Sequence, residues 1–178
     1  MSVLAERLLA VHDSLTKYGL PHAFGGAIAL GYCTFEPRGT RDLDVNVFVP
    51  PDRAGDVLDA LPDSVTVTAT NLEQLTREGQ VRVWWEDTPI DLFLDVLSFH
   101  REVAKSVRHV SFADRTIPVL GCTALAVFKA MFDRTRDWAD IEAMVEVSAI
   151  DFDEAVHWTQ KMDGPDSARA RRLMSLRT

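Results

Sequence analysis

The sequence has few cysteines, no long apolar run and a shortage of positive charge. It holds two cysteines in 178 residues, Cys33 and Cys122. They stand alone, without the spacing of metal ligands, so a thiolate metal site is not expected. They read as small core residues in a reduced, cytoplasmic setting. No apolar stretch approaches the roughly 20 residues of a membrane span. The first 20 residues carry Glu6, Arg7, Asp13 and Lys17 among their apolar positions, a pattern expected of an amphipathic helix rather than a signal peptide. Lysine and arginine number 19 against 27 aspartates and glutamates, a net charge of −8. A surface given over to nucleic acid is usually basic, so the charge counts against a broad nucleic-acid platform, although not against a local basic patch. His12, His22, His100, His109 and His157 are scattered without ligand spacing, and no repeat or low-complexity tract interrupts the chain.

What is present suits one α/β domain with a helical appendage. Apolar residues make up 47% of the chain, enough for a proper core. Leu4, Leu8, Leu9, Val11 and Leu15 recur at helical spacing, so a helix is expected over 3–18 with Gly19 as its stop. A short strand over 21–24 then leads to Gly25-Gly26 and a helical stretch over 27–32. Residues 42–49 are the first strong strand. A helix capped by Asp52 is expected over 52–61, a strand over 65–68, and a further strand over 80–86. Residues 90–96 alternate between Ile90, Leu92, Leu94 and Val96 on one side and Asp91, Phe93 and Asp95 on the other. A strand pair near 107–112 and 116–120 precedes three helices: one capped by Thr123, one over 137–147, and one capped by Asp151 or Asp153 and broken at Gly164-Pro165. The tail over 166–178 carries Arg169, Arg171, Arg172 and Arg177, either as a solvated helix or as a phosphate contact.

The chemistry concentrates in Gly25-Gly26 and in Arg38-Gly39-Thr40-Arg41-Asp42-Leu43-Asp44-Val45. Alternate strand residues share a face, so Asp42 and Asp44 point the same way, their Cα atoms roughly 6–7 Å apart. Asp91 is the expected third carboxylate, and Asp95 is the alternative. Three such acids suit a two-metal site, whose ions sit roughly 3.5–4 Å apart and clamp both oxygens of an in-line phosphoryl displacement. Mg²⁺ favours hard oxygen ligands of this kind. Glycines let backbone N–H groups approach a phosphate, and a helix opening at Ala27 adds its positive end. For an isolated Gly-Gly pair a plain turn would be the better reading.

This order of motifs resembles the nucleotidyltransferase superfamily that includes DNA polymerase beta. Gly25-Gly26, Asp42-Leu43-Asp44 and Asp91 carry the resemblance. The form Arg38-x-Thr40-x-Asp42-x-Asp44 looks most like a small bacterial branch with minimal nucleotidyltransferases, AbiE-type and MenT-type toxins and aminoglycoside nucleotidyltransferases. The block Lys129–Asp140, through Lys129, Arg134, Arg136, Asp137 and Asp140, is similar to one in AbiE-like proteins. The resemblance covers about residues 20–145.

It implies a mixed-sheet α/β (α+β) core flanked by helices over 1–122, with a C-terminal helical segment over 123–178. It implies transfer of a nucleoside monophosphate from an NTP such as ATP, with release of pyrophosphate and two Mg²⁺ ions as cofactor. Asp42, Asp44 and Asp91 would bind metal, with Asp91 also available as base. Gly25, Gly26, Arg38, Thr40 and Arg41 would bind nucleotide, and Lys129 would act at the catalytic centre. From the residues alone, Thr40 serves equally as a loop cap, and Lys129 as a lysine snorkelling from an apolar helix. Asp137 and Asp140, three apart, read as surface ion pairs with Arg134 or Arg136, with orientation of Lys129 as the alternative. Trp84-Trp85 offers a stacking face, although alternation turns one of the two inward.

The acceptor implied by the Lys129–Asp140 block is tRNA, with the chain as toxin beside an antitoxin partner. An antibiotic-modifying enzyme is the alternative, since an acidic cleft attracts a small cationic aminoglycoside. A non-catalytic member that binds nucleotide or protein is the third reading.

Overall fold

A computed structural model describes residues 2–177. The chain divides into two compact units. The first runs to Gly26 and takes in Gly39–Val119; the second holds Ala27–Arg38 and the described residues from Leu120 onward.

The first unit is built on a six-stranded mixed sheet. Its strands are β1 (His22–Phe24), β2 (Leu43–Val47), β3 (Gln80–Trp85), β4 (Thr88–Leu94), β5 (Arg108–Phe112) and β6 (Arg115–Val119), in the order β3-β4-β2-β1-β6-β5. β2 runs parallel to β4, and β1 runs parallel to β6. The other neighbours are antiparallel. Leu43, Val45 and Val47 of β2 and Ile90, Leu92 and Leu94 of β4 are all buried. The period of two that marked these strands therefore packs one face of the sheet into the core.

Helix α1 (Val3–Lys17) begins at Ser2, whose hydroxyl accepts from the Ala5 amide, and is stopped by Gly19 at φ +67°. It buries Leu8, Val11 and Leu15. It also buries Arg7, which reaches the β3–β4 turn and pairs with Glu86, Thr88 and, at 2.7 Å, Asp87. Of the two tryptophans, Trp84 is exposed, whereas Trp85 is partly covered and lies under the Arg7 guanidinium.

Three local expectations change. The strand expected over 65–68 reduces to a single bridge, Thr66 to Trp84. Thr68 instead caps α4 (Ala69–Glu78), exchanging hydrogen bonds with Asn71, and the helix ends at Gly79 at φ +68°. A polar helix surface and an Asn in place of Glu hid that start from the periodicity. Asp52 falls in a 3₁₀ turn, Pro51–Arg53, ahead of α3 (Ala54–Asp59), and caps nothing in that turn. The strand over 90–96 stops at Leu94, and α5 (Ser98–Lys105) follows.

The second unit is helical: α2 (Gly26–Thr34, entering from Gly26), α6 (Cys122–Phe132), α7 (Thr135–Glu146), α8 (Phe152–Asp163) and α9 (Ala168–Ser175). Thr123 lies inside α6 rather than capping it; its hydroxyl accepts from the Asp151 amide, while Asp151 caps α8 through the Glu154 amide. α6 ends at Asp133 in the left-handed region, and the Asp133 carboxylate accepts from the Trp138 indole at 2.7 Å. Cys33 is buried as expected, but the cysteines are not free. Cys33 of α2 and Cys122 of α6 form a disulfide with Cα atoms 5.6 Å apart, within the usual range. They are 89 residues apart in sequence, so no local spacing could reveal the pair. The composition argument for a reducing compartment falls with it. No described helix is long and apolar enough to cross a membrane.

The arginines of the tail are engaged. Arg169 pairs with Asp163 at 2.8 Å and with Asp133 at 3.5 Å, and Arg172 stacks 4.4 Å from the Trp138 ring centre. Arg177 pairs with Asp153 at 2.7 Å, and Arg171 donates to the Asp166 carbonyl.

Two predictions follow from the packing. A cross-link closing a loop of 89 residues stabilises by about 4–5 kcal/mol in the chain-entropy description. Reduction should therefore lower the melting temperature on the order of 10 °C. Thiols that alkylate in the denatured, unreduced protein would show the bond to be absent.

The second concerns acid. His22 Nδ1 faces the Leu20 carbonyl at 2.8 Å and must donate to it, so His22 Nε2 accepts from His12 Nδ1 at 2.9 Å. Burial lowers the pKa of His12, with Asp13 opposing and Arg115 and His109 assisting. Burial also lowers that of His22, against its bond to Leu20 and together with the His12 charge. The folded chain thus holds these protons more weakly than the unfolded chain does. The resulting stability is present above the ordinary histidine value near 6.5 and erodes as pH falls below it. Melting temperature should drop between pH 7.5 and pH 5.5, above the carboxylate range. A flat profile there would rule out the neutral histidine pair.

Candidate active site

The acids expected to act together are brought together by strand register. In the parallel ladder Asp44 of β2 is paired with Asp91 of β4. Paired residues on neighbouring strands lie about 4.8 Å apart, and their side chains share a face. Asp42 stands two residues before Asp44, just ahead of β2, and takes a hydrogen bond from the Thr40 hydroxyl. Asp95 lies beyond the end of β4, and its amide donates to the Val49 carbonyl.

Gly25 and Gly26 meet the same strand from the end of β1. The Gly25 amide donates to the Asp44 carbonyl at 2.8 Å, which fixes the turn against β2. Gly26 opens α2 at φ +50°, a conformation that disfavours a side chain. A Cβ placed there would sit 1.8 Å from Asp44 Oδ2. The glycine therefore lets its own backbone lie directly against the Asp44 carboxylate.

Asp91 is not isolated. Arg82, its partner across the β3–β4 ladder, grips it with both ends of the guanidinium, at 2.7 and 2.6 Å. The hydrogen bond to Asp91 raises the Arg82 pKa; burial opposes this, and the charges of Asp91, Asp42 and Asp44 add to it. Arg82 thus sits in the field of all three acids. Alternation puts Arg82 on the exposed face of its strand, but only the ladder register shows which acid it meets.

The donor set fits a hard divalent cation in its chemistry and strand position: carboxylate oxygens from adjacent strands, with Asp44 in a cradle that only glycine leaves open. Among the described residues, however, no three histidine, cysteine, aspartate or glutamate side chains converge as placed to hold a metal. Two of the acids are turned to partners, Asp91 to Arg82 and Asp42 to Thr40. Asn46 and Phe93, a further register pair on the same face, continue the surface beyond Asp44 and Asp91.

The remaining expected residues fall in different places. Arg41 is exposed, and its charge reaches Asp87 at the β3–β4 turn. Arg38 and Lys129 belong to the second unit and share one acid there. Arg38 binds Asp140 at 2.6 Å, and Lys129 Nζ binds Asp140 at 2.6 Å and Asp137 at 3.4 Å. Asp137 also takes Arg134 Nε at 2.6 Å. Lys129, Asp137 and Asp140 are all buried, so the expected surface pairs are a buried ion network instead. Burial alone would raise the Asp137 pKa; the Arg134 hydrogen bond and the Lys129 and Arg134 charges more than reverse it, leaving a net lowering.

Solved structures share the fold. ANT(2″)-Ia, in a crystal structure with adenylyl-2″-tobramycin, is similar with a TM-score of 0.63 at 12% identity, over 98% of each chain. The lincosamide antibiotic adenylyltransferase LnuA, lincomycin-bound, is similar at 0.53 and 14% identity, over 78% of this chain and 94% of its own. A nucleotidyltransferase-like protein from Paracoccidioides brasiliensis is similar at 0.55 and 10% identity, over 98% and 88%. The chain has the nucleotidyltransferase fold. By sequence, no family model and no curated protein matches it. The likeness therefore lies in the fold.

The contact at Gly26 makes a sharp prediction. Gly26→Ala should cost about 1–2 kcal/mol for the left-handed backbone, with Asp44 forced to rotate. Gly39→Ala, where an added Cβ meets nothing within 4 Å, is the control. Equal urea midpoints for the two variants would refute the close approach.

Proposed function

We propose that the chain is a Mg²⁺-dependent nucleotidyltransferase that moves a nucleoside monophosphate from an NTP to a hydroxyl of a small-molecule acceptor, releasing pyrophosphate. The observation that carries this is the pairing of Asp44 with Asp91 on adjacent parallel strands, with Gly26 against the Asp44 carboxylate.

Asp42, Asp44 and Asp91 are the residues that would hold Mg²⁺, which when bound neutralises charge on the triphosphate and lowers the pKa of a nearby hydroxyl. Asp91 is the acid available to take the acceptor proton. The Gly26 amide, at a helix start, is the donor proposed for a phosphate oxygen. The Gly25 amide is already given to Asp44, so its part is to set the turn. Thr40 holds Asp42. Arg41, exposed beside this strand, is the cation proposed for the nucleotide. A catalytic role for Lys129 and a nucleotide-binding role for Arg38 have less support, since both are spent on Asp140 within their own unit.

Two fold neighbours pair adenylyl transfer with tobramycin and lincomycin. Together with the net charge of −8, they favour a small, cationic acceptor of the antibiotic kind. The tRNA-modifying toxin reading rests on the Lys129–Asp140 block alone.

The test is transfer of label from the four α-³²P-NTPs, with Mg²⁺, to aminoglycoside and lincosamide panels and to total tRNA. Label on a small molecule is expected; label on an RNA band would put the toxin reading in its place. Asp42→Asn, Asp44→Asn and Asp91→Asn should each lose at least about a hundredfold in rate, the scale of removing one electrostatic stabiliser. Undiminished transfer by Asp44→Asn would sink the assignment.

A further inference from the structure

Arg82 is the one residue at the acid cluster whose part the reaction does not explain. Its guanidinium spans both Asp91 oxygens at 2.7 and 2.6 Å, and Asp42 and Asp44 act on its charge as well. Its side chain is 50% exposed against 17% for Asp91, so the arginine covers the acid from the solvent side. A bidentate fork of this kind uses the lone pairs through which a carboxylate binds a cation. Like charges at paired strand positions repel, and the fork offsets that repulsion between Asp44 and Asp91.

We propose that Arg82 is a built-in counter-cation of the acid cluster: it positions Asp91 and competes with a divalent metal for the same carboxylate oxygens. With the fork closed, each Asp91 oxygen has one lone pair already committed to Arg82. A metal shared with Asp44 therefore meets a carboxylate whose charge is partly neutralised and whose orientation is held, and Arg82 sets how readily the cluster accepts the ion. Position 82 thus tunes metal affinity through Asp91, without being a metal ligand itself. The inference rests on the proposed metal role of Asp42, Asp44 and Asp91.

The probe is Mn²⁺ alone, without nucleotide, followed by the loss of its free paramagnetic resonance signal. Wild type is compared with Arg82→Gln, Arg82→Lys, Asp44→Asn and the double variant Arg82→Gln/Asp44→Asn. Thermal melts confirm that each is folded. Arg82→Gln should bind Mn²⁺ about fivefold more tightly or better, the scale of one half-exposed ion pair. Arg82→Lys keeps the charge and should stay within about twofold of wild type, because an ammonium still competes as a point charge. The double variant should lose the gain. No tightening in Arg82→Gln, whether binding is unchanged, weaker or undetected, overturns the inference. So does an Arg82→Lys variant that behaves like Arg82→Gln, because competition by charge would then be wrong. If the double variant binds as tightly as Arg82→Gln, the metal role of Asp44 itself fails, a result separate from the part played by Arg82.

Discussion

The first unit depends on one parallel pairing, β2 beside β4. Two carboxylates at paired positions in a sheet repel, and a sheet built only for stability would not place them there. Here the neighbouring groups all bear on that repulsion. Arg82 enters from the next strand to neutralise Asp91. Thr40 donates to Asp42. Gly26, lacking a side chain, lets its backbone lie against Asp44. On the opposite face, the buried Leu43, Val45, Ile90 and Leu92 hold the register that makes the pairing unavoidable. A slip of one residue would turn the acids into the core, so the apolar alternation fixes the acid geometry as firmly as it fixes the fold.

The second unit handles its charges by a different rule. Its buried carboxylates are shared rather than exposed: Asp140 between Arg38 and Lys129, Asp137 between Lys129 and Arg134. Removing one member of such a network leaves an uncompensated buried charge, so these residues hold one another in place. The Cys33–Cys122 bond ties α2 to α6 within the same unit. The residues of the Lys129–Asp140 block thus have a structural reason to occur together, whatever else they do.

What the sequence made legible was local. Alternation found β2, β3 and β4, helical spacing found α1, and Gly19 marked where α1 stops. The motif Gly25-Gly26 with Asp42-x-Asp44 was legible because its parts lie close in sequence and obey strand geometry. What stayed hidden depends on distant pairing. Arg82 meets Asp91 only through ladder register, Cys33 meets Cys122 across 89 residues, and Asp137 and Asp140 look like surface acids until helix packing buries them. α4 was missed for a different reason: it buries only Leu75, so it has almost no apolar period to read, and its signals lie in its caps, Thr68 with Asn71 and Gly79.

The distribution of charge bears on the acceptor. An RNA-binding surface needs cations free to meet phosphates, because most of its affinity comes from such contacts. The densest basic run is the tail, and there Arg169, Arg171, Arg172 and Arg177 are each committed to a carboxylate, a carbonyl or an aromatic ring within the unit. Engaging RNA would mean breaking those contacts in a protein with a net charge of −8. A small cationic acceptor asks the reverse: an acidic sheet face with an exposed flat side chain beside it. Asp42, Asp44 and Asp91 supply the first, and Trp84, 46% exposed on the face of β3 that carries Arg82, supplies the second. On the proposed reading the acid face draws the acceptor, while the tail arginines are held within their own unit.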